Sequence, residues 1–125
     1  MMKLSGVLTT GLGEGAFFMS MGHYRNEIRQ KLGFDAYPGT LNIKTNGKVS
    51  IGGLSKIRIE GYAFNEKKFG GAICYRAKLK NIEGAVIVPD LTKHDKKIIE
   101  FIAPVYLRSG LKLEDGIEIT IELLK

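Results

Sequence analysis

Three observations predict a mainly β domain, either a compact barrel or an α+β fold with one helix and short helical turns. Glycines number sixteen against three prolines, which favours tight turns over long helices. About seven short apolar or alternating segments recur along the chain, each bounded by turn residues. One stretch alone carries a clear helical period.

Residues 3–10 read as a first strand, with Leu4, Gly6, Val7 and Leu8 mixing faces. A glycine loop follows, Gly11-Leu12-Gly13-Glu14-Gly15, and the apolar run 16–21 reads as a second strand. Residues 24–32 predict the helix. Tyr24, Ile28 and Leu32 fall on one face, Arg25, Glu27, Arg29 and Lys31 on others, and Gly33 sits where a C-terminal capping glycine belongs. Pro38-Gly39 is a turn signal, and residues 40–44 then alternate polar and apolar as a half-wet strand does. Asn46-Gly47 is a strong hairpin pair, leading to a strand over 48–51. Strands over 57–63 and 70–79 flank the polar turn 65–68. A short strand over 85–88 ends at Pro89-Asp90, and another over 98–103 ends at Pro104. Residues 105–111 read as one helical turn. The clean alternation of Glu118–Leu123 closes the chain after the Asp115-Gly116 turn. No repeat, low-complexity tract or long linker interrupts this pattern, so residues 1–125 are expected to form one domain.

Composition narrows the function classes. Cys74 is the sole cysteine, which excludes an intrachain disulfide and a thiolate zinc cluster. The apolar runs are far shorter than the ~20 residues a membrane helix needs, and the opening lacks the pattern of a signal peptide. A reducing, cytoplasmic location is expected. The net charge of +6, from 19 Lys+Arg against 13 Asp+Glu, suits an anionic partner: phosphorylated small molecules or nucleic acid. Nucleic-acid modules set exposed aromatics among their basic residues. Here Lys67, Lys68, Lys78, Lys80, Lys93, Lys96 and Lys97 cluster mostly in expected turns without interleaved aromatics, which argues against nucleic acid.

The most informative stretch is Tyr37-Pro38-Gly39-Thr40-Leu41-Asn42. Residues two apart in a strand share a face, so the Thr40 hydroxyl and the Asn42 carboxamide point the same way. Two neutral oxygens on one face suit a Mg²⁺ that takes its charge balance from substrate phosphates. A bare Thr-x-Asn binds nothing in most proteins; the Pro38-Gly39 turn and the glycine loop upstream raise it, as does the family resemblance described below. Gly11-x-Gly13-x-x-Ala16 formally fits a dinucleotide fingerprint. It does not open a helix, because the β-like Phe17-Phe18-Met19 follows, so the match fails. No Gly-Lys-Ser/Thr occurs, which excludes a Walker loop. Successive backbone amides in such a loop still form an anion nest. A plain connector is the competing reading, and Glu14 favours it.

The ordered set of motifs resembles the archaeal CTP-dependent riboflavin kinases. The set is Gly11 through Met21, then Tyr24, Leu32-Gly33-Phe34 and Tyr37 through Asn42. It continues with Gly84-Ala85-Val86-Ile87-Val88-Pro89, Thr92-Lys93-His94, Ile99-Glu100-Phe101-Ile102-Ala103-Pro104 and Leu107-Arg108. The resemblance covers nearly the whole chain. It implies a cradle-loop β-barrel of six strands, and phosphoryl transfer from CTP to the 5′-hydroxyl of riboflavin, giving FMN and CDP.

Carried over residue by residue, it implies nucleotide contacts at Gly11, Leu12, Gly13, Glu14, Gly15 and Ala16. A second nucleotide segment falls on Tyr106, Leu107, Arg108 and Ser109. Flavin contacts fall on Thr92 and Glu100, and the Mg²⁺ ligands on Thr40 and Asn42. Glu100 is the candidate to accept or orient the riboflavin hydroxyl proton; its competing reading is a solvent-facing strand residue. His94 lies in a polar run and is given no catalytic role. Phe17, Phe18 and Phe34 are expected to serve mostly as core. The expected partners are riboflavin and CTP, with a monomeric chain, no membrane and no nucleic acid. Two other classes stay open: a flavin or nucleotide sensor on the same scaffold, and a nucleic-acid-binding barrel.

Overall fold

The computed structural model describes residues 2–9, 21–37, 40–45, 55–90, 98–107 and 113–124. Their strands are β1 (Met2–Thr9), β2 (Leu41–Thr45), β3 (Ile57–Ile59), β4 (Tyr62–Phe64), β5 (Lys67–Phe69), β6 (Ala72–Leu79), β7 (Ile82–Pro89), β8 (Ile98–Ile102) and β9 (Glu118–Leu123). The single helix among them is α1 (Gly22–Leu32). Six strands pair antiparallel in the order β6-β7-β8-β2-β1-β9, and β9 returns to β6 through Ala77↔Leu123 and Lys78↔Glu122. The sheet is therefore a closed six-stranded barrel. Closure leaves those strands no exposed edge.

β6 carries three partners because its outer edge is shared. Its first half pairs with β3, from Ile57↔Cys74 to Ile59↔Ala72, and its second half with β9. Alternation then sorts the side chains into two apolar clusters. Leu8, Leu41, Ile43, Val86, Phe101, Ile121 and their neighbours fill the barrel. Tyr24, Ile28 and Leu32 of α1 pack with Ala72, Cys74, Ala85, Ile87 and Ile102 on its outer face.

The helix forms where its apolar stripe predicts. Gly33 ends it in the left-handed region at φ 87°, and its N–H reaches back to the carbonyls of Ile28 and Arg29. The Arg76 guanidinium donates to the carbonyl oxygens of Lys31 and Leu32, both at 3.1 Å, so β6 itself satisfies the helix C-terminus. The Cys74 thiol is buried between the layers, and burial pushes its pKa up to about 12, which leaves it inert.

Several expectations are corrected. The strand expected over 57–63 breaks at Glu60-Gly61, so β3 and β4 belong to different sheets. A Cβ at Gly61 would stand 2.2 Å from the Phe69 oxygen, so only glycine admits this crossing. The turn expected over 65–68 is the two-residue Asn65-Glu66, both with positive φ (50° and 67°), as the twist of a tight hairpin requires. Lys67 and Lys68 thus lie in β5, in a strand rather than the expected turn, while Lys78 lies in β6 within the strand expected over 70–79. β7 begins at Ile82, earlier than the expected 85: Glu83 and Gly84 are weak strand formers, and their pairing with Lys78 and Ala77 overrides that. The expected strands over 16–21 and 48–51, and most of the helical turn over 105–111, lie outside the described residues.

Gly84 marks the tightest point of the β7–β8 seam. An added Cβ would meet the Ile102 oxygen at 2.1 Å and the Phe101 ring at 2.8 Å. Gly84→Ala is expected to destabilise the fold by about 1–3 kcal/mol, the usual cost of overpacking, read as a lower urea midpoint at unchanged slope. An unchanged midpoint would mean the seam yields freely.

Candidate active site

β2 and β8 place three oxygen-bearing side chains on one outer patch of the barrel. Leu41, Ile43 and Thr45 point inward and are buried, so Asn42 and Lys44 must face out. β8 runs antiparallel beside β2, with Asn42 directly opposite Glu100. Thr40 joins them from the segment just before β2: its Oγ1 lies 3.4 Å from Glu100 Oε2, the long end of hydrogen-bond range. The expected shared face of Thr40 and Asn42 is thus present, and it includes Glu100.

Glu100 is 2% exposed. Its solvent-facing reading is therefore wrong. Thr45 and Glu100 are the buried polar side chains among the described residues. Folds rarely retain a carboxylate at such burial without a use for it, because its charge is costly to desolvate. Asn42 Oδ1 is also buried, and it has no hydrogen-bond partner among the described residues. An orphaned carbonyl oxygen of this kind accepts a ligand donor or a cation at no cost in broken contacts.

The donor set fits a hard cation. Thr40 offers a hydroxyl oxygen and Asn42 a carboxamide oxygen, with a carboxylate adjacent. No cluster of three His, Cys, Asp or Glu exists among the described residues, so a softer transition-metal site has no ligands there. A cation held by two neutral oxygens would need anionic ligands from a substrate.

The second patch lies at the end of β8. Tyr106 is 47% exposed and stacks on Tyr37, ring centroids 5.1 Å apart at 26°. The Tyr37 N–H donates to the Ala103 carbonyl at 2.8 Å. Leu107 is 3% exposed and belongs to the barrel core, so its backbone is what remains for a ligand contact. Tyr37 is not among the site residues the sequence predicts; the structure sets its ring against that of Tyr106. Phe34 packs against the outer cluster, in keeping with a core role. Gly11, Leu12, Gly13, Glu14, Gly15, Ala16, Thr92, His94, Arg108 and Ser109 lie outside the described residues.

A small closed β-barrel, with a polar and partly buried oxygen cluster on adjacent strands, is the class this architecture defines. The chain belongs to the CTP-dependent riboflavin kinase domain family: its residues 8–123 match the model CTP-dep_RFKase, described as "Domain of unknown function DUF120". A riboflavin kinase of Pyrobaculum islandicum is 46% identical over 126 residues, covering 97% of this chain and 60% of its own length. One from Pyrobaculum calidifontis is 44% identical, covering 97% of this chain and 59% of its own. A riboflavin kinase of Methanosarcina acetivorans is 40% identical over 129 residues, covering 99% and 54% respectively. The chain thus spans somewhat over half the length of the curated relatives it matches. Among the described residues no helix is long and apolar enough to cross a membrane.

Proposed function

We propose that this domain transfers the γ-phosphoryl group of CTP to the 5′-hydroxyl of riboflavin, giving FMN and CDP. The observation that carries the reading is the cluster of Thr40, Asn42 and buried Glu100, in which Asn42 Oδ1 has no hydrogen-bond partner among the described residues. The family supports the same substrate class.

Phosphoryl transfer asks the protein chiefly for positioning and charge compensation. The riboflavin 5′-oxygen bonds to the γ-phosphorus while the bond from that phosphorus to the β–γ bridging oxygen breaks. The hydroxyl proton passes to the Glu100 carboxylate, and the electron pair of the broken bond leaves on CDP. Thr40 donates to Glu100 Oε2, which orients the carboxylate and leaves the hydroxyl lone pairs facing outward. Thr40 and Asn42 would hold Mg²⁺, which when bound offsets the negative charge of the phosphates. The amides of residues 11–16 would cradle the phosphate oxygens, and residues 106–109 would read the base. Thr92 would join Glu100 in holding the flavin. The domain acts as a monomer, in a reducing cytoplasm suited to an unpaired thiol such as Cys74.

FMN formation from riboflavin and Mg²⁺ with each of CTP, UTP, GTP and ATP tests this. CTP is expected to give the highest kcat/KM, because a wrong base leaves buried hydrogen-bonding groups unpaired. Equal use of ATP would sink the donor assignment alone. No transfer from any nucleotide would sink the kinase reading and favour a sensor or a nucleic-acid module.

A further inference from the structure

We propose that the Tyr37–Tyr106 stack is a clasp that positions the nucleotide segment against the start of β2, where Thr40 and Asn42 lie. The proposal rests on the kinase reading above and adds a residue to it: Tyr37 acts on nucleotide affinity through Tyr106.

The two rings stack near-parallel, with centroids 5.1 Å apart, yet Tyr37 is 38% and Tyr106 47% exposed. Neither belongs to an apolar cluster. Each ring instead projects from a segment whose neighbours are anchored: Ala36 beside Tyr37, and Ala103 and Leu107 flanking Tyr106, are all buried. Register between β2 and β8 starts at Leu41↔Phe101. Beyond that pair Thr40 still reaches back to Glu100, and farther out the two segments are joined, among the described residues, by the Tyr37 N–H to Ala103 bond and by the stack. The bond fixes one point. The stack adds a second, which stops the segments from swinging about the first. Tyr37 leads through Pro38-Gly39 to Thr40, while Tyr106 opens the stretch that would take the nucleotide. Half-exposed rings add little to the core, so what they supply is alignment between two ligand-bearing segments. Holding such groups in register before binding is a recognised source of affinity.

The test uses the full chain with Mg²⁺, measuring CDP binding by calorimetry and steady-state KM for CTP and riboflavin. Tyr37→Ala is expected to weaken CDP binding and raise the CTP KM about fivefold, the worth of one aromatic pair. The kcat and the riboflavin KM should stay near wild type. Tyr37→Phe keeps the ring and should restore affinity. Tyr106→Ala should weaken CDP at least as much, and adding Tyr37→Ala to it should change nothing further. Additive losses, failure of Phe to rescue, or an equal rise in the riboflavin KM would overturn the clasp while leaving the kinase intact. A wild-type chain that binds no CDP would overturn the kinase reading and the clasp with it.

Discussion

Asn42→Ala is expected to lose roughly 100-fold in kcat/KM at limiting Mg²⁺, about 2.7 kcal/mol of transition-state stabilisation, while its thermal midpoint does not fall. The two halves of this outcome share one cause. Asn42 Oδ1 is buried without a partner among the described residues, so the fold carries its desolvation cost and gains no bond from it. Removing that oxygen should leave stability unchanged or slightly higher, as is common where a site is held at the expense of the fold. Thr40→Val keeps the side-chain volume, removes the hydroxyl and should act in the same direction. Raising Mg²⁺ should partly recover both variants. Turnover near wild type for both at limiting Mg²⁺ would remove the metal role from this strand.

Glu100→Gln is expected to lower kcat by about 10²–10⁴-fold, the usual contribution of a positioned base. The amide is nearly isosteric and still accepts from Thr40, so the loss would report the missing proton acceptor and not a missing shape. Stability again separates the roles. Exchanging a carboxylate that is 2% exposed for a neutral amide removes the cost of burying charge. The urea midpoint should therefore hold or rise. A kcat close to wild type with weakened riboflavin binding would leave Glu100 as a flavin contact only. Because Thr40 touches Glu100, the losses in Thr40→Val/Glu100→Gln should sum to less than the two single effects.

The local features of this chain were legible because their causes are local. Tyr24, Ile28 and Leu32 mark one helix face by spacing alone, and they are the residues of α1 that the outer cluster buries. Gly33 and Gly116 adopt positive φ, at 87° and 93°, where the sequence puts a helix cap and a tight turn. β9 covers Glu118–Leu123, the stretch whose alternation is cleanest. The shared face of Thr40 and Asn42 follows from the two-residue repeat of any strand. The misread places are those where a distant segment overrides local preference. Gly84 is a poor strand residue that β7 keeps because Ile102 comes too close for any side chain. Glu100 lies between apolar neighbours that fit a half-wet strand, and nothing nearby in the sequence announces its burial.

By itself, then, the sequence determined a mainly β domain with one helix, the family signature, and the pairing of Thr40 with Asn42 on one face. Only the tertiary structure decided that Glu100 stands opposite Asn42, that β9 closes on β6, and that Tyr37 reaches Tyr106. Alternation along a strand says which side a residue faces. It carries no information about which strand lies alongside, or in what register, since those choices minimise the exposed apolar area and unpaired backbone of the whole barrel at once.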